Sequence, residues 1–116
     1  MISDNLLGKV INESILNTHI KGNTLWWQGE TVDFHGTTGG QINIYELAHK
    51  CKEWAYSKGY YLHTTMKDSH ITHKLTYKVA IEPTEYAEYA KTGNTEPEAV
   101  FAACQWILDE ITKENG

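Results

Sequence analysis

Between Ile42 and Lys58 apolar side chains recur at the spacing of a single helix face: Ile44, Leu47, Ala48, Cys51, Trp54 and Ala55, with Glu46, His49, Lys50 and Glu53 opposite them. No other feature constrains the fold as much, because a helix with one apolar stripe has to lay that stripe on another element. Gly59 follows the last apolar position, which predicts a left-handed helix end there. A second helix is predicted at "TEPEAVFAACQWILDEI", where Thr95 stands three residues before Glu98 as a capping box and Pro97 occupies the first turn, where its missing N–H costs nothing. Its stripe is Val100, Ala103, Cys104, Ile107 and Ile111, widened by Phe101 and Leu108.

Between the helices, Ile71, His73, Leu75, Tyr77, Val79 and Ile81 alternate with polar residues, the period of a half-buried strand. With Asp68 and Ser69 as the turn, Met66 is expected opposite Ile71, Thr64 opposite His73, Leu62 opposite Leu75 and Tyr60 opposite Tyr77, so that one face of the hairpin is apolar. "PTEYAEYAKTGN" reads as a connection. In the first 41 residues, "KGN" and "QGE" punctuate β-branched and aromatic runs, which predicts short strands turning at Gly22 and Gly29; "DNLLGKVIN" fits a helical turn or a strand.

The expected architecture is therefore α+β: an antiparallel sheet of four to five strands with two main helices on one face, a two-layer sandwich. Residues 1–116 are expected to form a single domain, a strand-rich segment over 1–41 preceding a helix–hairpin–helix core over 42–111. A chain of 116 residues buries about two-thirds of its unfolded surface in one core, and half of it would not make two. Its composition, 41% hydrophobic and 22% charged, is that of a globular protein. No apolar run approaches the roughly 20 residues of a membrane span, and "MISDNLLGKV" lacks the basic and apolar regions of a secretory signal. The expected compartment is the cytoplasm, and the expected state of Cys51 and Cys104 is two buried, reduced thiols.

The tracts "YELAHKCKEWAYSKGY" and "TGNTEPEAVFAACQWILDEI" resemble small proteins encoded by bacteriophages and prophages, which pair an early helix with a short antiparallel sheet and end in a Thr-x-x-Glu-Ala capped helix. The resemblance spans about residues 44–111, carries no catalytic residue with it, and implies an α+β sandwich in a bacterial host cell. A second likeness is to HicB-type antitoxin domains, whose G-x-T-x-x-E-A pattern is matched by Gly93, Thr95, Glu98 and Ala99. The helix before the hairpin departs from that pattern, and no DNA-binding segment is expected after residue 116.

Charge bears on partners. The net charge is −5, and all ten basic residues are lysine. Nucleic-acid recognition leans on cations and on the arginine fork, so nucleic acid is a disfavoured partner. Gly36, Thr37, Thr38, Gly39 and Gly40 precede a helix as a phosphate loop would, but Gln41 and Ile42 stand where a Walker loop needs Lys and a hydroxyl. The segment reads first as a pliable strand-to-helix joint, with Gln41 or Asn43 near the cap, and second as a nucleotide loop.

His19, His35, His49, His63, His70 and His73 have no chelating spacing; His70 and His73, three apart on a strand, face opposite ways. His73 is expected to face the core. Glu85 and Glu88 lie in a polar loop, and the cysteines lie on apolar stripes that hide a thiol. No catalytic group, metal or cofactor is expected.

Aromatic residues say more. Trp26 and Trp27 must point to opposite faces of a strand, and Trp106 lies roughly 140° from the centre of its helix stripe. With Tyr86 and Tyr89 they are the candidate surface for binding another protein, a second copy or a component of host defence. The alternative is that the N-terminal segment folds over and covers them.

Overall fold

The computed structural model describes residues 1–34, 36–69, 74–82 and 91–115. Helix α1 (Asp4–Ile11) is followed by strands β1 (Ile15–Lys21), β2 (Thr24–Asp33) and β3 (Gly36–Asn43), helix α2 (Ile44–Ser57), strands β4 (Tyr61–Ser69), β5 (Lys74–Glu82) and β6 (Lys91–Gly93), and helix α3 (Glu96–Asn115). Among the described residues the fold is α+β, but with three helices, and with two three-stranded antiparallel sheets, β1-β2-β3 and β4-β5-β6, in place of one sheet of four to five strands. Each sheet is a run of strands pairing with their chain neighbours, and α2 stands between the two runs. α2 touches β3 behind it and β4 ahead of it, while α1 packs on β1, and α3 packs on β4, β5 and β6.

Local chemistry explains the helix ends. Ser3 caps α1 by accepting from the Leu6 amide, and Asn12 ends it at φ 59°, so "DNLLGKVI" is a full helix that buries Leu6 and Leu7. Asn43 caps α2 through a bond from the Tyr45 amide at 2.9 Å. Past its last turn Gly59 adopts φ 92°, a conformation a side chain would strain, and so lets Tyr60 N–H return to the Ala55 carbonyl. Thr95 Oγ1 accepts from the Glu98 amide, and Glu98 reaches back to the Asn94 amide, so the expected box closes one residue earlier than its usual form.

The core is one cluster drawn from every layer: Leu6 and Leu7 from α1, Leu25 and Ile42 from the first sheet, Leu47, Cys51 and Ala55 from α2, Leu62, Val79 and Ile81 from the second sheet, and Val100, Cys104 and Ile107 from α3. Small residues line the α2–α3 contact, where the Cys104 thiol lies 3.4 Å from the Cys51 carbonyl. Both cysteines are buried and free, as expected.

Two strand predictions change. Gly22 does turn, at φ 61° between β1 and β2, but Gly29 is buried inside β2 beside a register shift, so β2 runs on for ten residues. In the second hairpin Leu62 pairs with Ile81, Thr64 with Val79 and Met66 with Tyr77. The alternation places Leu62 opposite Leu75, six positions earlier; an even slip keeps the same residues on the same face, which is why alternation alone does not detect it. Asp68 and Ser69 belong to β4 and pair with Leu75 and Lys74, so they are strand residues and not the turn. Ile71 and His73 lie outside the described residues.

These long hairpins make the molecule flat and extended. It measures 53 × 36 × 18 Å, with a radius of gyration of 15.4 Å, against about 13 Å for a compact chain of this length.

Candidate functional site

Trp26 and Trp27 sit side by side on β2 and do point to opposite faces, but neither is exposed. Trp26 stacks on His19, its partner across the β1–β2 ladder, with ring centres 5.1 Å apart and planes 6° from parallel. Trp27 packs against the core, and its indole N–H donates to Glu13 Oε2 at 2.7 Å. The segment after α1 thus covers one tryptophan and a cross-strand histidine covers the other.

The glycine-rich segment corrects the joint reading as well as weakening the nucleotide one. Gly36, Thr37, Thr38, Gly39 and Gly40 are the first residues of β3, paired with β2 through Gly36–Asp33, Thr37–Val32, Gly39–Gln28 and Gly40–Trp27. Gly40 leaves room for its partner: a Cβ there would lie 2.9 Å from Cζ2 of the Trp27 ring, which would have to shift. The α2 N-terminus has its own partners, since Ile44 N–H donates to the Asn23 carbonyl and Tyr45 N–H to Asn43. These donors, which an anion would need, are already committed.

Trp106 is half-buried and meets Tyr60 edge-on, at 6.2 Å and 89°. The element over it therefore includes the α2–β4 link, which sequence reasoning did not consider. Tyr86 and Tyr89 lie outside the described residues, as do Glu85, Glu88, His35 and His70.

Tyr60 belongs to an aromatic group missed in the sequence. Tyr56 on the last turn of α2, Gly59, Tyr60, Tyr61 at the start of β4 and Glu82 at the end of β5 surround an open pocket of about 530 Å³. Gly59 makes it possible by reversing the chain, so that tyrosines close in sequence converge. Tyr61 meets the His63 ring edge-on at 4.6 Å, and His63 Nε2 lies 3.2 Å from Glu82 Oε2. Burial, then the charges of Glu114 and Glu110, raise the Tyr60 hydroxyl above its ordinary pKa. The legible signal was "YSKGYY", tyrosines on both sides of a predicted helix-ending glycine.

The second sheet offers a different surface. Its core face passes from Leu62 and Ile81, through Thr64 and Val79, to Met66 and Tyr77, and then to Leu75. Burial falls along the same line: Ile81 and Val79 are covered, Tyr77 is half-covered, and Met66 is 67% exposed. In the first sheet Val32 is 74% exposed, near the end of β2.

The adjacent Cys104 and burial push the Cys51 thiol far above the range in which thiolate forms near neutrality. Among the described residues no group of three His, Cys, Asp or Glu side chains could hold a metal ion, and no helix is long and apolar enough to cross a membrane. Comparison with protein-family models, with curated proteins and with solved structures finds no match to this chain.

Proposed function

We propose that this chain is a non-enzymatic binding protein of the phage and prophage type, acting on another protein through the far half of its β4–β5 hairpin. The observation that carries this reading is the continuation of one apolar face past the helices, which leaves Met66 and Leu75 bare on the side that Val79 and Ile81 use for the core. A core face left open beside β4, which among the described residues is an edge strand, gives a partner both apolar contact and backbone groups to pair with. A second copy of the chain is the first partner to test, and a host defence component the second. Nucleotide sequestration at Gly36–Gly40 is the weaker reading, because that segment is a strand and the helix after it is already capped.

Size-exclusion chromatography with light scattering tests self-association, and a parallel pull-down from bacterial lysate tests a foreign partner. Met66→Lys with Leu75→Lys, both at exposed positions, is expected to abolish whichever association the native chain shows while leaving its melting temperature unchanged. An association that survives both substitutions, or a melting rise with nucleotide, would overturn the proposal.

A further inference from the structure

The tyrosine pocket at the end of α2 has a chemistry of its own, separate from the hairpin face. It is lined by Tyr56, Gly59, Tyr60, Tyr61 and Glu82, three aromatic residues and one acidic one about the helix-ending glycine. Tyr56 is 73% exposed and Tyr61 54%, so ring surface is available to an incoming group. Two walls are braced from behind or beside by a perpendicular ring, Tyr60 by Trp106 and Tyr61 by His63. Bracing of this kind lowers the ordering cost of binding.

Aromatic faces carry negative quadrupole charge, and a carboxylate beside them adds a full charge, so the group such a pocket favours is a cation. Two further features have the same sign. The pocket opens at the C-terminal end of α2, the negative end of a helix dipole, and the last turn holds no basic residue. Lys58 follows at the cap, but no lysine lines the pocket among the described residues. Glu110 and Glu114 act on Tyr60 from α3, although Lys113 pairs with Glu110 at 3.3 Å. The internal competitor is His63, which meets Glu82 through Oε2; among the described residues no contact engages Oε1.

We infer that this pocket is a docking site for a basic side chain, lysine or arginine, presented by a partner polypeptide, with the charged head between Tyr56 and Tyr61 and against Glu82. A basic partner complements a chain of net charge −5 that has no arginine of its own. The inference goes beyond the hairpin reading and does not depend on it.

The test uses the full chain and NMR of the tyrosine ring protons, titrated with capped Gly-Lys-Gly and Gly-Arg-Gly, with capped Gly-norleucine-Gly as the neutral control and tetramethylammonium as the free cation. The basic peptides are expected to give saturable shifts of Tyr56 and Tyr61, and the norleucine peptide none. Tyr61→Phe keeps the ring quadrupole and should bind as the native chain does, whereas Tyr61→Leu keeps only apolar bulk and should bind about fivefold more weakly. Glu82→Gln should weaken binding by a similar factor, about fivefold. Equal shifts with norleucine, equal affinity in Tyr61→Leu, or no saturable shift with any probe would overturn the site. Tighter binding of tetramethylammonium than of either peptide would overturn the polypeptide as occupant. Met66→Lys with Leu75→Lys should leave these titrations unchanged, which separates failure here from failure of the hairpin proposal.

Discussion

Adding one methyl group at Gly40 tests whether the glycine-rich segment is a strand shaped around Trp27. In Gly40→Ala the new Cβ would sit 2.9 Å from Cζ2 and 3.0 Å from Cη2 of the Trp27 ring. Carbon atoms prefer about 3.5–4.0 Å, so the ring has to retreat by roughly 0.5–1 Å. It cannot swing freely, because it packs on the core and donates to Glu13 at 2.7 Å. Overpacking of this kind costs about 1–3 kcal/mol. Loosening a bond to a charged acceptor adds about 1 kcal/mol. Replacing glycine within a strand returns about 0.5–1 kcal/mol. The net expectation is a loss of about 1–3 kcal/mol, or about 4 °C in melting temperature per kcal/mol for a domain of this size. Urea unfolding followed by circular dichroism measures it, repeated in a Trp27→Phe background that lacks both clashing carbons. There Gly40→Ala should be neutral or slightly stabilising, giving a coupling of about 1–3 kcal/mol between the two sites. If Gly40→Ala stabilises the native chain as much as it does the Trp27→Phe variant, the ring does not constrain position 40 and the argument fails. A pliable joint would show that second pattern, since removing glycine freedom there would only reduce the entropy of the unfolded chain.

Further outcomes follow from single groups. Thr64 Oγ1 is buried on β4 without a hydrogen-bond partner among the described residues, so Thr64→Val should raise stability by about 1 kcal/mol; a loss in urea unfolding would mean the hydroxyl is bonded. Thr95→Ala removes the acceptor for the Glu98 amide and should cost about 1 kcal/mol, with Thr95→Ser recovering most of it in the same assay. Lys52 Nζ meets Glu96 Oε1 at 2.7 Å between α2 and α3, both side chains about a third exposed; Glu96→Gln should cost no more than about 1 kcal/mol and less at high salt, read from melting temperatures at two ionic strengths. The Tyr60 hydroxyl is raised by burial and by Glu114 and Glu110. Because the folded state holds the proton more tightly, this contribution is intact below the unfolded tyrosine pKa of about 10 and is lost as pH rises through the folded value. Tyr60→Phe should flatten that alkaline loss, and an unchanged stability profile above the same pH would count against the assignment.

What could be read without coordinates was what nearest neighbours in the chain dictate. The α2 and α3 stripes, the Thr95 cap and the Gly59 helix end all depend on side chains within four or five positions, and all are present, while of the two cap candidates for α2, Gln41 and Asn43, it is Asn43 that caps. The alternation in β5 identified its core face for the same reason. Where local signals were thin the reading fell short. "DNLLGKVI" is only eight residues long, and its ends rest on a capping serine and a left-handed asparagine, signals too slight to separate a helix from a strand. Gly29 reads as a turn because glycine commonly turns, whereas here a buried glycine sits beside a bulge in a continuous strand.

For the candidate site, the sequence by itself determined that Trp26 and Trp27 oppose each other and that both thiols lie inward, because strand and helix periodicity set direction. Only the tertiary structure decided what covers them: His19 over Trp26, the segment after α1 over Trp27, and Tyr60 against Trp106. It also decided that the strands form two sheets, that the β4–β5 register is displaced by an even step, and that Tyr56, Tyr60, Tyr61 and Glu82 surround one pocket. The physical reason is common to all of these. Local periodicity says which way a side chain points, but strand partners, even-numbered register and convergence of distant residues depend on contacts between segments that the chain brings together only when it folds.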